Sequence, residues 1–288
     1  MADIKLICFD LDGTILEKGT IITDNAQEIL EEAILCGAKI STASGRSIID
    51  QLQILENSNL GHSKGWPHAL ITDESSIYIL DGENYNPLSE WNEMVNRVWR
   101  KNLTIVRRMM LEDLERLREN GVSVQNLIAS EEVERRNLIG LLFSNIEDAL
   151  TYEKELSIRL SEEDMDGEVQ CNRNWYFVQI LPRMSGKGNT VFTLANYFGL
   201  KPEEVLVIGD SGNDLNMLDS DYGFYAATVS NAEPAVKRVV AKRGGYIASH
   251  KISRGVIEIV REVVLKEREL IDTINYLDIN EKNWLAWI

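Results

Sequence analysis

At 288 residues the chain exceeds a typical single domain, and its 44% hydrophobic content fits a globular protein with a sizeable core. A formal charge of -16 repels other polyanions, which argues against a nucleic-acid or membrane-surface binder. A small anionic substrate stays compatible if a metal and a few cations reverse the sign inside one cleft.

The apolar run Ile4 to Phe9 reads as a buried strand ending in Asp10-Leu11-Asp12-Gly13-Thr14. Asp24 to Cys36 places Ala26, Ile29, Leu30, Ala33 and Ile34 on one helical face, with Gly37 as its stop. Ala38 to Ala43 reads as a second strand, Arg46 to Glu56 as a second helix and Ala69 to Thr72 as a third strand. This rhythm predicts an α/β fold with a Rossmann-like parallel sheet and right-handed crossovers. It breaks after Asp81-Gly82. From Leu88 to Asp164 several polar helices are expected, one with Leu111, Leu114 and Leu117 on one side. Short strand-like pieces, Leu138 to Phe143 and Trp175 to Leu181, are mixed among them. After Pro182 a helix carrying Val191, Leu194, Ala195 and Phe198 leads to the strand Val205 to Ile208. The expected organisation is a core of residues 1–81 and 183–288 with an inserted α+β module over 82–182.

A last helix shows Val256, Ile259, Val260, Val263 and Val264 at core spacing. Beyond it, Trp284 and Trp287 sit in a tail that either packs on its own core or makes a contact with a partner or in a homodimer. Cys8, Cys36 and Cys171 lack metal-ligand spacing and read as thiols of a reducing compartment. With no stretch of transmembrane length and no signal-peptide core, a cytoplasmic location is expected.

Two carboxylates at a strand tip need a cation or strong donors, because burial penalises their charge. The second strand end, Gly209-Asp210-Ser211-Gly212-Asn213-Asp214, repeats that context. If both strands share one parallel sheet, Asp10, Asp12, Asp210 and Asp214 converge at its carboxyl edge, where α/β sheets bind ligands. Oxygen ligands at that density suit Mg²⁺. Ser44-Gly45-Arg46 opens a helix and offers a hydroxyl and amides to an anion. Lys187, between Gly186 and Gly188 at another helix start, is placed to meet a phosphoryl oxygen, although the surrounding pattern is not a P-loop. Taken singly, each of these is also compatible with an ordinary cap or a solvated turn.

In this order the motifs resemble the haloacid dehalogenase superfamily of phosphohydrolases. The span between Asp12 and Ser44 is too short for a large insertion, so the insertion lies between Ser44 and Lys187, the position of a C2-type cap. Leu181-Pro182 before Gly186-Lys187-Gly188, the Gly209 to Asp214 run and the pair Trp91 and Trp99 are similar to the sucrose-phosphate-phosphatase-like branch. The resemblance implies Mg²⁺-dependent hydrolysis of a small phosphorylated metabolite, with a sugar phosphate expected. Asp10 would be the nucleophile, Asp12 the acid/base, Ser44 a phosphoryl donor and Lys187 a charge neutraliser. Asp10, the backbone carbonyl of Asp12 and Asp210 would hold the metal, with Asp214 acting through water. Gly45, Arg46 and Asn213 are carried over as substrate-site positions. A phosphosugar mutase, or a binding protein without turnover, are the other readings. The chain departs from the branch at Asp73-Glu74-Ser75-Ser76, where related proteins often have a Gly-containing turn. Asp73 and Glu74 are therefore expected either to bind sugar hydroxyls or an amino group, or to form a solvated turn.

Overall fold

The computed structural model describes residues 3–16, 21–127, 139–219 and 221–266. Strand β1 (Leu6–Phe9) is buried throughout, as a strand covered on both faces must be. Its side chains alternate between two cores. Leu6 and Cys8 enter one, Ile7 and Phe9 the other. Helix α1 (Asp24–Leu35) buries Ala26, Ile29, Leu30 and Ala33 against the second core, and Gly37 ends it at φ +91°. Strand β2 (Lys39–Ala43), helix α2 (Ile48–Asn57) and strand β3 (Ala69–Thr72) follow. Helix α2 begins after the expected Arg46 because Ser47 caps it, its Oγ accepting from the Asp50 amide at 3.2 Å.

Strands β4 (Ser76–Asp81) and β5 (Asn84–Pro87) extend the same sheet in antiparallel sense. The core sheet therefore runs past the boundary expected at Gly82. Asp81-Gly82 breaks the βαβ rhythm as the turn of an edge hairpin, with Gly82 at φ +60°.

The inserted region holds helix α3 (Ser89–Glu119), strands β6 (Val124–Asn126) and β7 (Gly140–Phe143), helix α4 (Ile146–Glu162) and strands β8 (Val169–Asn174) and β9 (Phe177–Pro182). Its four strands pair antiparallel in the order β6-β7-β9-β8. Where several polar helices were expected before Asp164, the described residues form two long ones. In α3, Leu114 and Leu117 are buried, but Leu111 is 38% exposed because the inward face runs through Met110, Leu114 and Leu117 at helical spacing and leaves Leu111 beside it. The start of α3 is latched to the core: the Trp91 indole donates to the Ser75 carbonyl at 2.7 Å, and Asn92 bonds both backbone groups of Ile77.

Helix α5 (Lys187–Tyr197), strand β10 (Val205–Gly209), helix α6 (Leu215–Leu218), strand β11 (Tyr225–Thr228), helix α7 (Pro234–Lys242), strand β12 (Tyr246–Ile247) and helix α8 (Ile252–Ile259) complete the core. After α8 the helix widens into a π-turn segment through Leu265, and Val256 to Val264 are buried at the expected positions. The eight-stranded order is β12-β11-β10-β1-β2-β3-β4-β5. Helices cover both faces, as parallel pairing requires. The carboxyl ends of β10, β1 and β2 lie side by side. The Trp-containing tail lies outside the described residues. Among those described, no helix is long and apolar enough to cross a membrane.

Candidate active site

The register β1↔β10 aligns Phe9 with Ile208, and the Asp10 amide donates to the Ile208 carbonyl at 2.9 Å. Pairing thus delivers Asp10 and Asp210 to one point. One oxygen each of Asp10, Asp210 and Asp214 lies within 4.8 Å of the others, and all three residues are buried. Lys187, fully buried at the start of α5, donates to Asp10 Oδ1 at 2.7 Å and to Asp214 Oδ1 at 2.6 Å. Gly188 permits this approach, since a Cβ there would stand 2.1 Å from the Asn216 carbonyl oxygen.

Hydrogen bonding divides the labour among the carboxylates. Asp214 Oδ2 accepts from the amides of Asp210 and Ser211 at 2.8 and 3.0 Å, so both its oxygens have protein donors. Asp210 Oδ1 accepts from the Thr14 hydroxyl at 3.0 Å. Its Oδ2 faces the turn at Gly13 (φ +76°), where a Cβ would stand 2.5 Å away. Burial raises the Asp10 pKa well above the ordinary range, opposed by Lys187 and reinforced by Asp214 and Asp210. Asp210 is pushed up to about 7, first by burial and then by Asp214. Lys187 is held above its usual range because the attraction of Asp10 and Asp214 outweighs its burial. One ammonium among these carboxylates leaves an excess of negative charge, and the all-oxygen donor set suits a hard divalent cation.

Over this cluster lies a cleft of about 300 Å³ lined by Asp10, Asp12, Ser44 to Ser47, Asp50, Asp73 and Glu74 from the core. Asn174, Phe177 and Gln179 line it from the inserted region. Asp12 stands apart from the acidic cluster. Its carboxylate is half exposed and receives a two-pronged bond from Arg46, with Nε and Nη2 each 2.7 Å from one oxygen. The Ser44 Oγ accepts from the Arg46 amide at 3.2 Å, and Gly45 lies against Glu74.

The Asp12 side chain is not a member of the acidic cluster, so the ligand role expected of Asp12 stays with its backbone carbonyl. The geometry corrects two expectations. Asn213 is 1% exposed, does not line the cleft, and spends its amide on Glu74 Oε1 at 2.7 Å. Glu74 is not part of a solvated turn: it borders the cleft but is fully buried, and its carboxylate also accepts from Asn172. Burial raises its pKa, Lys187 and Asn213 opposing.

Several contributors carry no signal in sequence. Asn172, Arg173, Asn174 and Gln179 are scattered polar positions on a hairpin, and only the fold brings them to the acidic loop and the cleft above it. Thr14 completes the first motif, which was the one clue to its bond with Asp210.

Comparison with known proteins agrees with this geometry. The family profile of haloacid dehalogenase-like hydrolases matches residues 7–244. A 5-amino-6-(5-phospho-D-ribitylamino)uracil phosphatase of Bacillus subtilis is 22% identical over 264 residues, covering 75% of this chain and 84% of that protein. A phosphoglycolate phosphatase of Metallosphaera sedula is 29% identical over 242 residues, covering 83% and 90%. Among solved structures, the sucrose-phosphatase of Synechocystis, in complex with sucrose and phosphate, superposes with a TM-score of 0.67 at 20% identity, covering 91% of this chain and 98% of that one. The chain belongs to the haloacid dehalogenase-like hydrolases.

Proposed function

We propose that this phosphatase hydrolyses a small phosphomonoester, a sugar phosphate, with Mg²⁺ and through an aspartyl-phosphate. The observation that carries the reading is Lys187, buried between Asp10 and Asp214 with Asp210 alongside. An ammonium in that place opposes the rise that burial imposes on the Asp10 pKa and directs the carboxylate, favouring the charged form that a nucleophile requires. The Asp10 carboxylate attacks phosphorus and the bond to the leaving oxygen breaks as Asp12, in its acid form, donates a proton to that oxygen. Asp12 then takes a proton from water as the water attacks phosphorus, releasing phosphate and restoring Asp10. The Ser44 hydroxyl and the amides at the start of α2 face the phosphoryl group. Asp10, Asp210 and the Asp12 carbonyl would hold Mg²⁺, which when bound offsets charge on the phosphoryl oxygens; Asp214 fixes the loop that presents Asp210.

The sugar assignment is supported by the likeness to sucrose-phosphatase and by the polar wall of Asp50, Asp73, Asn174 and Gln179. An Asp12 exposed at the cleft favours turnover over a binding role, since binding alone needs no acid/base. The test is phosphate release from a panel of sugar phosphates and p-nitrophenyl phosphate, with and without Mg²⁺. Asp10→Asn, which keeps the shape and removes the attacking charge, is expected to lose roughly a thousandfold or more of wild-type turnover. Near-normal hydrolysis by that variant would exclude the covalent route, and transfer without net phosphate release would favour a mutase.

A further inference from the structure

Strand β8 reaches across from the inserted region to the loop that carries Asp210, and each of its last three residues touches that loop's network. Asn172 donates to the Glu74 carboxylate, whose other oxygen receives the Asn213 amide at 2.7 Å. Arg173, 5% exposed, meets Glu233, 6% exposed, through Nη2 at 3.2 Å, while its Nε reaches Glu153 of α4 at 3.0 Å. Glu233 in turn accepts from the Gly212 amide at 3.1 Å and donates its own amide to the Asp210 carbonyl at 2.8 Å. Asn174 Oδ1 lies 3.0 Å from the Ser211 hydroxyl. At the turn that follows, the Trp175 carbonyl accepts from Arg173 Nη1 at 2.9 Å. Gly212 leaves room for the contact, because a Cβ there would stand 2.8 Å from both Arg173 Nη2 and the Arg173 carbonyl oxygen.

The pattern is more than two surfaces in contact. Alternate side chains of a strand point to opposite faces, so Asn172 and Asn174 share one face of β8, reaching the loop through Glu74 and directly at Ser211, while Arg173 on the other face reaches it through Glu233. Ser211, Gly212 and Asn213 are each held, and they are the residues between Asp210 and Asp214. We infer that the β8–β9 hairpin is a clamp on the acidic loop, with Asn172, Arg173 and Asn174 acting as positioning residues for divalent-cation binding, and that cation binding in turn holds the hairpin down. The second half follows from the first by linkage: if closing the hairpin favours the cation-binding shape of the loop, the cation favours closure by the same factor. Buried Arg173 and Glu233 suit such a role, since separating them leaves each charge unpaired out of water, and the hairpin has few partly engaged positions.

The inference rests on the acidic cluster binding a divalent cation, as proposed above, and its test separates the two. Mg²⁺ alone is titrated calorimetrically into wild type, Asn174→Ala, Arg173→Lys and Arg173→Met. The half-buried Asn174 can be truncated without opening the core, so Asn174→Ala serves where Arg173→Met fails to fold. The expected result is a loss of Mg²⁺ affinity of about tenfold for Asn174→Ala and Arg173→Met, as for partners that orient a ligand without touching the metal. Arg173→Lys, which keeps charge but not the fork, is expected to fall between them and wild type. Amide exchange of 169–182 in wild type should slow on adding Mg²⁺ by a similar factor. Unchanged Mg²⁺ affinity in folded Asn174→Ala and Arg173→Met, or hairpin exchange indifferent to Mg²⁺, overturns the clamp. A wild type without Mg²⁺ affinity overturns the functional reading and the clamp together.

Discussion

At the scale of single residues, the site separates groups by their surroundings. Asp10 and Asp12 are two positions apart, yet one is buried beside an ammonium and the other lies half exposed in a guanidinium fork. The difference follows from the chain turning away from the sheet after β1 ends at Phe9, and it suits the separate roles proposed for the two carboxylates. These residues were legible in sequence because two short motifs concentrate unusual charge after apolar runs. Glu74 was legible only as an oddity, since nothing local tells a solvated carboxylate from one received by Asn172 and Asn213. Asp73 beside it lines the cleft at φ +50° and is the better candidate for substrate contact. Asp73→Ala is expected to lower kcat/KM for the preferred phosphorylated substrate about tenfold, the scale of a hydrogen bond to a charged group, and to leave p-nitrophenyl phosphate hydrolysis nearly unchanged. Steady-state kinetics on both substrates checks this; equal losses would place the fault in the core geometry instead.

Among elements, strand and helix identities were legible from periodicity, while their ends depended on side-chain chemistry that patterns do not weigh. Ser47 moved the start of α2, and the Asp81-Gly82 turn returned the chain to the sheet it was expected to leave. The long α3 was misread because its inward face mixes Trp91, Asn92, Trp99 and Asn102 with aliphatic residues. Helix α8 shows how an element is fastened. Glu258 on it accepts from the amides of Ser249 and His250 and from the Ser249 hydroxyl at 2.9 to 3.1 Å, tying the loop after β12 to the helix. Burial alone would raise its pKa, but the Ser249 amide, His250, the Ser249 hydroxyl and Tyr246 together bring it down to about 2. A carboxylate depressed on folding stabilises fully above its unfolded value near 4.5 and loses that contribution as pH falls toward 2. Melting temperatures of wild type and Glu258→Gln should therefore differ at neutral pH and converge between about pH 4.5 and 2. A gap that stays constant to pH 2 would show that the tie is not ionic.

For the molecule as a whole, the acidic cluster sets function against stability. Without a cation the excess carboxylate charge at the carboxyl edge of the sheet is a cost that the fold carries for its site. Asp210→Asn is expected to raise the melting temperature of the metal-free protein and to abolish the response to Mg²⁺. In wild type, Mg²⁺ at a hundred times its Kd should add about 2.7 kcal/mol. Thermal scans with chelator and with Mg²⁺ decide this; a variant less stable than wild type under chelator would mean that Asp210 serves packing more than ion binding. The strand order carries a different consequence, for the way the chain is made. β1 is central, but its neighbour on one side, β10, is encoded after the entire inserted region. A ribosome therefore releases β1, β2 and β3 long before Val205 to Gly209 emerges, and for that interval one edge of a wholly apolar strand has no partner. Unpaired apolar edges recruit other chains. Nascent chains arrested near Leu200 should be sticky and dependent on holding factors, and should become independent of them once β10 has cleared the exit tunnel.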